Sequence, residues 1–237
     1  MADLAPSEKT AKANPYNSAY DVRLMDHKMH PLYSPQWPDL EDVMATIEVE
    51  EATLNLSLFS GFSDATFKTF RDNAYGAGNE AAVFAHLLPI IIPNNPHAYD
   101  ILFNNLEHMT DGTIVRPKLH LYYGSPPERL AQPAIKHMSS YLIPSTVQDR
   151  PLAPNFFVEI KGPKGVPGVT FRQAQHNGAV GARAMHMLQN YGVDRPVFDN
   201  CPYAFTAVLN MRILELFAHH VTAPTTKGGQ PQYHMTP

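Results

Sequence analysis

The chain has 237 residues, of which 44% are hydrophobic and 17% charged, enough apolar material for one sizeable core. A formal net charge of −4 and a pI near 6.3 exclude general attraction to a polyanion, so nucleic-acid binding would need a local basic patch. The single cysteine, Cys201, excludes an intrachain disulfide and a cysteine-built zinc cage.

Residues 1–39 are rich in Pro, Asn, Ser and Tyr without strand or helix periodicity, which predicts an extended or partly disordered arm ahead of a single domain over 40–237. The start lacks an apolar signal core, and the run Leu87–Pro93 is too short to span a bilayer; the expectation is an intracellular protein, cytoplasmic or nuclear, away from membranes. Val43, Met44, Ile47, Leu54 and Leu58 at approximate helical spacing predict a helix with an acidic outer face. Ser63 can cap a short helix, and Asn79 can cap another reaching Leu88. Ala98 to Leu106 is compatible with helix or strand.

Thr113–Gly124 is β-branched and aromatic and predicts a strand, followed by a helix from Pro127 to Tyr141. Phe156–Lys161 predicts a short strand, ended by the turn Gly162-Pro-Lys-Gly-Val-Pro-Gly168. From Thr170 to Gly192 a helix carries Ala174, Gly178, Gly181, Ala182, Met185 and Leu188 as a narrow stripe of small and apolar residues, suited to close packing on a sheet. Ala204–Leu209 and Ile213–Val221 predict a hairpin turning at Asn210-Met-Arg212, with a loop from Thr225 to Tyr233.

Strand alternation puts Glu159 and Lys161 on one face of an otherwise apolar strand, where two charges need a reason to exist. In a metal-dependent phosphodiesterase a carboxylate holds Mg²⁺ while a lysine orients the attacking water and offsets charge developing on phosphate. An exposed Glu-x-Lys pair is otherwise ordinary solvated charge. Gln173 and Asn177, four apart on the next helix, project together, and Gln173 could reach the pair's edge.

The runs Ala153–Gly165 and Arg172–Met185, with Tyr122-Tyr-Gly-Ser-Pro-Pro-Glu128, Ile143-Pro-Ser-Thr146, Ala218–Pro224 and Tyr233-His-Met235, resemble a family of fungal proteins that looks like a branch of the PD-(D/E)XK nuclease superfamily. The resemblance spans about Asn79 to the end. It implies an α/β (α+β), restriction-endonuclease-like fold: a mixed central sheet flanked by helices, with the site on central strands. It also implies an early-helix acid (Glu80), a Pro-Asp on a strand, the Glu-x-Lys pair and a Gln-bearing helix, giving Glu159 as metal ligand, Lys161 as catalytic cation, Gln173 as positioning group and Glu80 as supporting acid. This chain departs from that pattern. Pro117-Lys118 stands where Pro-Asp is implied, and Asn177 where the family favours an acid, so Mg²⁺ binding is weakened unless Asp100, Glu107, Asp111 or His120 substitutes.

Arg172, Lys164 and Arg183 are candidate substrate-binding cations for nucleic acid. Adjacent His219 and His220 point to opposite strand faces, Cys201 has no histidine beside it, and the Gly-rich turn lacks a Walker ending. Two functions follow as expectations. One is a Mg²⁺-dependent phosphodiesterase acting on nucleic acid. The other is a catalytically inactive nuclease-fold protein with a protein partner, in which Glu159 and Lys161 form a structural pair and Lys118 competes for Glu159.

Overall fold

The strands pair in the order in which they are made. The computed structural model, which describes residues 12–32, 34, 63–92, 95–147, 149–210 and 213–237, places β1 (His97–Leu102), β2 (Lys118–Ser125), β3 (Leu152–Lys161), β4 (Ala204–Asn210), β5 (Ile213–Thr222) and β6 (Gln232–Thr236) in one six-stranded sheet. All neighbours are antiparallel except β3 and β4, which run parallel from Phe156↔Phe205 to Lys161↔Asn210. A parallel pair needs a crossover, and the long helix Pro167–Gln189 supplies it. The class is therefore mixed α+β, with helices flanking a mixed sheet. No described helix is long and apolar enough to cross a membrane.

The first helix among the described residues, α1 (Ala19–Asp26), lies within the segment expected to be an extended arm. Tyr20 and Leu24, one turn apart, and Met29 are fully buried with Ile114 and Ala179, so tertiary packing makes a helix that local propensity does not announce. Ala13 bridges to Ile114 and Met29 to Tyr233, tying both ends of this segment down. The helix expected from Leu40 to Leu58 lies outside the described residues.

One face of the sheet is covered by α2 (Asp64–Gly76), α3 (Glu80–His86) and α4 (Leu88–Ile91). Ser63 accepts from the Thr66 N–H and Asn79 from the Ala82 N–H, the caps their positions predict. Val83, Leu87 and Leu88 pack there on Leu121, Val158, Ile160, Ala207 and Leu209. The helix expected over Pro127–Tyr141 is split into a 3₁₀ turn (Pro127–Arg129), α5 (Gln132–His137) and α6 (Ser139–Leu142), because Leu130 is extended and Pro133 starts a helix afresh. The expected C-terminal loop instead ends in β6, which pairs with Ala218–Thr222.

The other face is covered by α7 (Pro167–Gln189), which lies very close to the strands at two glycines. A Cβ on Gly178 would sit 2.1 Å from the His219 ring, and one on Gly181 would sit 2.6 Å from the Phe157 ring. In an exposed helix Gly→Ala gains about 1 kcal/mol. Gly178→Ala is expected to reverse that sign and destabilise by roughly 1–3 kcal/mol, since a buried ring must be displaced, as urea denaturation would show.

A paired irregularity in β1 and β2 prepares the site. Ala98 and Ile101 join one cluster, as do Leu119 and Tyr122 across from them, although residues three apart in a regular strand face opposite ways. Between them lie Asp100, in the left-handed region at φ 50°, and His120. That pair is missing from a register otherwise continuous through Tyr99↔Leu121 and Ile101↔Leu119. Aspartate tolerates this backbone region better than most residues. At this irregularity the His120 side chain reaches Glu159 on β3.

Candidate functional site

Glu159 is the most buried charged residue of the site, with a side chain 0% exposed. Its Oε2 accepts from His120 Nδ1 at 2.7 Å, and its Oε1 accepts from the Asn177 amide at 2.7 Å. The other ring nitrogen of His120, Nε2, donates to Glu80 Oε1 at 2.9 Å, and Lys161 Nζ donates to Glu80 Oε2 at 3.3 Å. The network thus runs Asn177–Glu159–His120–Glu80–Lys161, from the closed core to a glutamate whose side chain is 42% exposed. Both nitrogens of His120 face carboxylate oxygens, an arrangement that favours the imidazolium, which can donate from each. The Ile160 N–H also points at Nδ1, from 3.4 Å, too long to compete with the 2.7 Å bond.

Each side chain is placed by its element. Strand alternation sends Glu159 towards α7 and Ile160 towards α3 and α4. Glu80 opens α3 directly after its Asn79 cap, and a Cβ on Gly162 would meet its backbone nitrogen at 2.5 Å. Only a glycine after Lys161 lets the end of β3 come that close to α3, which brings the Lys161 ammonium to Glu80. Asn177 reaches Glu159 because the neighbouring Gly178 and Gly181 hold α7 down on the sheet.

The charges are coupled. Burial pushes the Glu159 carboxyl up, opposed by the hydrogen bond and charge of His120 and by the charge of Lys161. Burial also works against the charge on His120, but the hydrogen bond and charge of Glu159, with the charge of Glu80, outweigh it, and the imidazole is raised above its ordinary value. Two carboxylates, one imidazolium and one ammonium sum to zero, which suits a site with little water.

Of the residues singled out in the sequence, Glu80, Glu159 and Lys161 come together. Gln173 lies one turn before Asn177 on α7, and its Oε1 is buried without a hydrogen-bond partner. Asn210, level with Lys161 on the parallel neighbour, likewise has an unpartnered buried Oδ1. Lys118 does not compete for Glu159: it pairs with Asp100 at 2.8 Å on the exposed outer strands. The residue that meets Glu159 from β2 is His120, two positions on, one of the substitutes the sequence offered.

The expected substrate cations are differently employed. Arg172 holds Asp21 through Nε at 2.8 Å and Nη2 at 2.6 Å and also donates to the Pro15 carbonyl, so it fastens the N-terminal segment. Arg183 donates to the Glu107 and His108 carbonyls and stacks on Tyr141 at 5.2 Å. Lys164 alone of the three is exposed without such a partner among the described residues. The buried Tyr20–His176 hydrogen bond of 2.8 Å, linking α1 to α7, had no signal in the sequence, because neither residue stands in a motif.

These residues do not fit the Mg²⁺ that a PD-(D/E)XK resemblance implies. All four carboxylate oxygens of Glu80 and Glu159 already accept hydrogen bonds, and the two groups sit at opposite edges of one imidazole ring instead of facing a common point. Mg²⁺ demands a near-octahedral shell of oxygens. Among the described residues no group of three or more His, Cys, Asp or Glu side chains is disposed to hold a metal ion. In this arrangement Glu159 serves as an acceptor for His120 and Asn177. Compared with protein-family models, curated proteins and solved structures, the chain finds no match in any of the three.

Proposed function

We propose that this chain is a PD-(D/E)XK-like protein whose metal centre has been replaced by a carboxylate–imidazolium network, and that it works without catalysis, as a binding or scaffold protein. The order of parts supports the resemblance: an acid on an early helix, a residue on β2, Glu-x-Lys on β3 and a polar pair on the crossover helix. One observation carries the loss of catalysis, namely the His120 ring held between Glu80 and Glu159. A proton-bearing cation there neutralises the carboxylates as a divalent ion would, but it offers no open coordination position and polarises no water. The second reading, a phosphodiesterase on nucleic acid, is favoured by the meeting of Glu80, Glu159 and Lys161 beside unpartnered Gln173 and Asn210 acceptors.

Supercoiled and single-stranded DNA and RNA incubated with the protein and Mg²⁺ or Mn²⁺ separate the two. No cleavage is expected from the wild type, and no rise of its melting temperature with Mn²⁺. His120→Asp is expected to gain Mn²⁺-dependent stabilisation, about 2.7 kcal/mol at a hundredfold excess over Kd, by restoring an anionic ligand where the imidazolium stood. Metal-dependent cleavage by the wild type that disappears in both Glu159→Ala and Lys161→Ala would overturn the non-catalytic reading.

A further inference from the structure

A second cluster of titratable groups stands apart from Glu159. Where the N-terminal segment meets the sheet edge, three imidazoles stack: His30 on His234 at 4.9 Å with planes 20° apart, and His234 on His220 at 5.1 Å with planes 12° apart. All three are buried. The stack crosses from one element to another, since His30 belongs to the segment after α1, His234 to β6 and His220 to β5. Its backbone does the same: the His30 N–H donates to the Tyr233 carbonyl and the Tyr233 N–H to the Lys28 carbonyl, both at 2.8 Å.

The hydrogen-bond partners of the stack bring no negative charge to it. His30 Nε2 meets Gln232 Oε1 at 2.6 Å and His234 Nε2 meets Thr222 Oγ1 at 2.9 Å, while His234 Nδ1 and both nitrogens of His220 have no partner. The titratable groups facing the stack are more histidines. On β5, His219 adjoins His220, and no Asp or Glu among the described residues pairs with any of the rings. A proton added here lands beside other imidazoles with no counter-charge. Burial, then the charges of His220 and His30, pull His234 down to about 3, and burial alone pulls His220 down to about 4. Groups lowered in this way stabilise the folded arrangement above their ordinary value near 6.5, and that stability is lost as pH falls towards 4.

The other end of the segment has a hold that includes its own counter-charge. Arg172 and Asp21 form a charge-assisted fork at α1. Protonation of the stack therefore acts at the His30 end, while the fork holds the α1 end. We propose that the His30–His234–His220 stack is an acid-sensitive latch, whose protonation frees Met29 and His30 from the β6 edge while α1 stays pinned through Asp21. Opening bares the Tyr233 N–H and carbonyl on the last strand of the sheet, and closure restores them to the chain's own backbone.

Hydrogen exchange on the full chain between pH 7.5 and 4.5, corrected for the intrinsic rate at each pH, tests this. Peptides covering 27–34 and 231–237 are expected to lose protection by up to about tenfold per pH unit for each proton taken up, and to open at a lower free energy than peptides from β3 and β4 at each acidic pH. His220→Phe keeps a stacked ring and sacrifices no hydrogen bond, so it should move the transition to lower pH. Opening free energies for 27–34 and 231–237 equal to those of β3 and β4 at every pH, or an unchanged transition in His220→Phe, would overturn the latch. Should that variant fold poorly, NMR titration of the wild-type imidazoles decides: His220 and His234 must titrate within the same pH range as the loss of protection, and titration outside it refutes the proposal.

Discussion

Glu159→Ala is expected to destabilise the protein by about 3–5 kcal/mol, more than any other single change to the charged network. The substitution leaves the Asn177 amide and His120 Nδ1–H facing a space without an acceptor, and each buried orphan donor costs about 1–3 kcal/mol. The cavity left by the lost methylenes adds to this. Lys161→Met is the informative contrast. It keeps most of the buried stem, and its partner Glu80 is 42% exposed and can turn to water, so about 0–1 kcal/mol is expected. Paired urea titrations measure both. Equal costs would mean that the network is not graded from core to surface in the way its exposures imply, and a negligible cost for Glu159→Ala would remove the structural role assigned to it.

Lowering the pH from 6.5 to 5 is expected to remove roughly 3 kcal/mol of unfolding free energy through His176 and His219 alone, each approaching a slope of about 1.4 kcal/mol per pH unit below its ordinary value. Burial pulls each of these rings down to about 3, His176 also feeling Arg183 and His108, and His219 also feeling His220. The sign follows from the direction. A histidine kept neutral by the fold contributes stability above 6.5 that is lost as pH falls, because the unfolded chain takes up the proton first. His120 acts the other way: its raised value contributes stability below 6.5 that is lost as pH rises through that value. Stability is thus confined to a window near neutrality, and a loss of about 3 kcal/mol is a large part of the 5–15 kcal/mol typical of a domain. Urea midpoints at pH 7, 6 and 5 check this, and a flat profile would refute it.

The parts of the fold visible in the sequence are those with local causes. Ser63 and Asn79 announce helix starts through their own side chains, and Gly178 and Gly181 announce close packing because only a missing Cβ permits it. Phe156 to Ile160 announces a buried strand. What stayed hidden depends on distant partners. Met29 and Tyr233 are joined by a backbone bridge that neither short stretch predicts, so α1 and β6 looked like arm and loop. At the site, Glu159, Lys161 and Glu80 were found by residue type and position. His120 stood in the sequence as one of four possible substitutes, and what singles it out is the irregularity opposite Asp100, since counting positions along β2 assumes an unbroken alternation.

The single parallel seam between β3 and β4 divides the sheet into two meanders, β1-β2-β3 and β4-β5-β6, each closed by connections to its sequence neighbours. Either half can begin forming through short-range contacts, but joining them requires closing the long excursion from Lys161 to Ala204 through α7. That closure carries the largest loop entropy among the strand pairings, which makes it the slow event of assembly. Glu159 and Asn177 both precede β4, one on the strand before the turn and one on the helix after it, 18 residues apart. The buried carboxylate therefore acquires its amide partner when α7 docks on β3, and the same docking carries the chain back to where β4 can join the two halves.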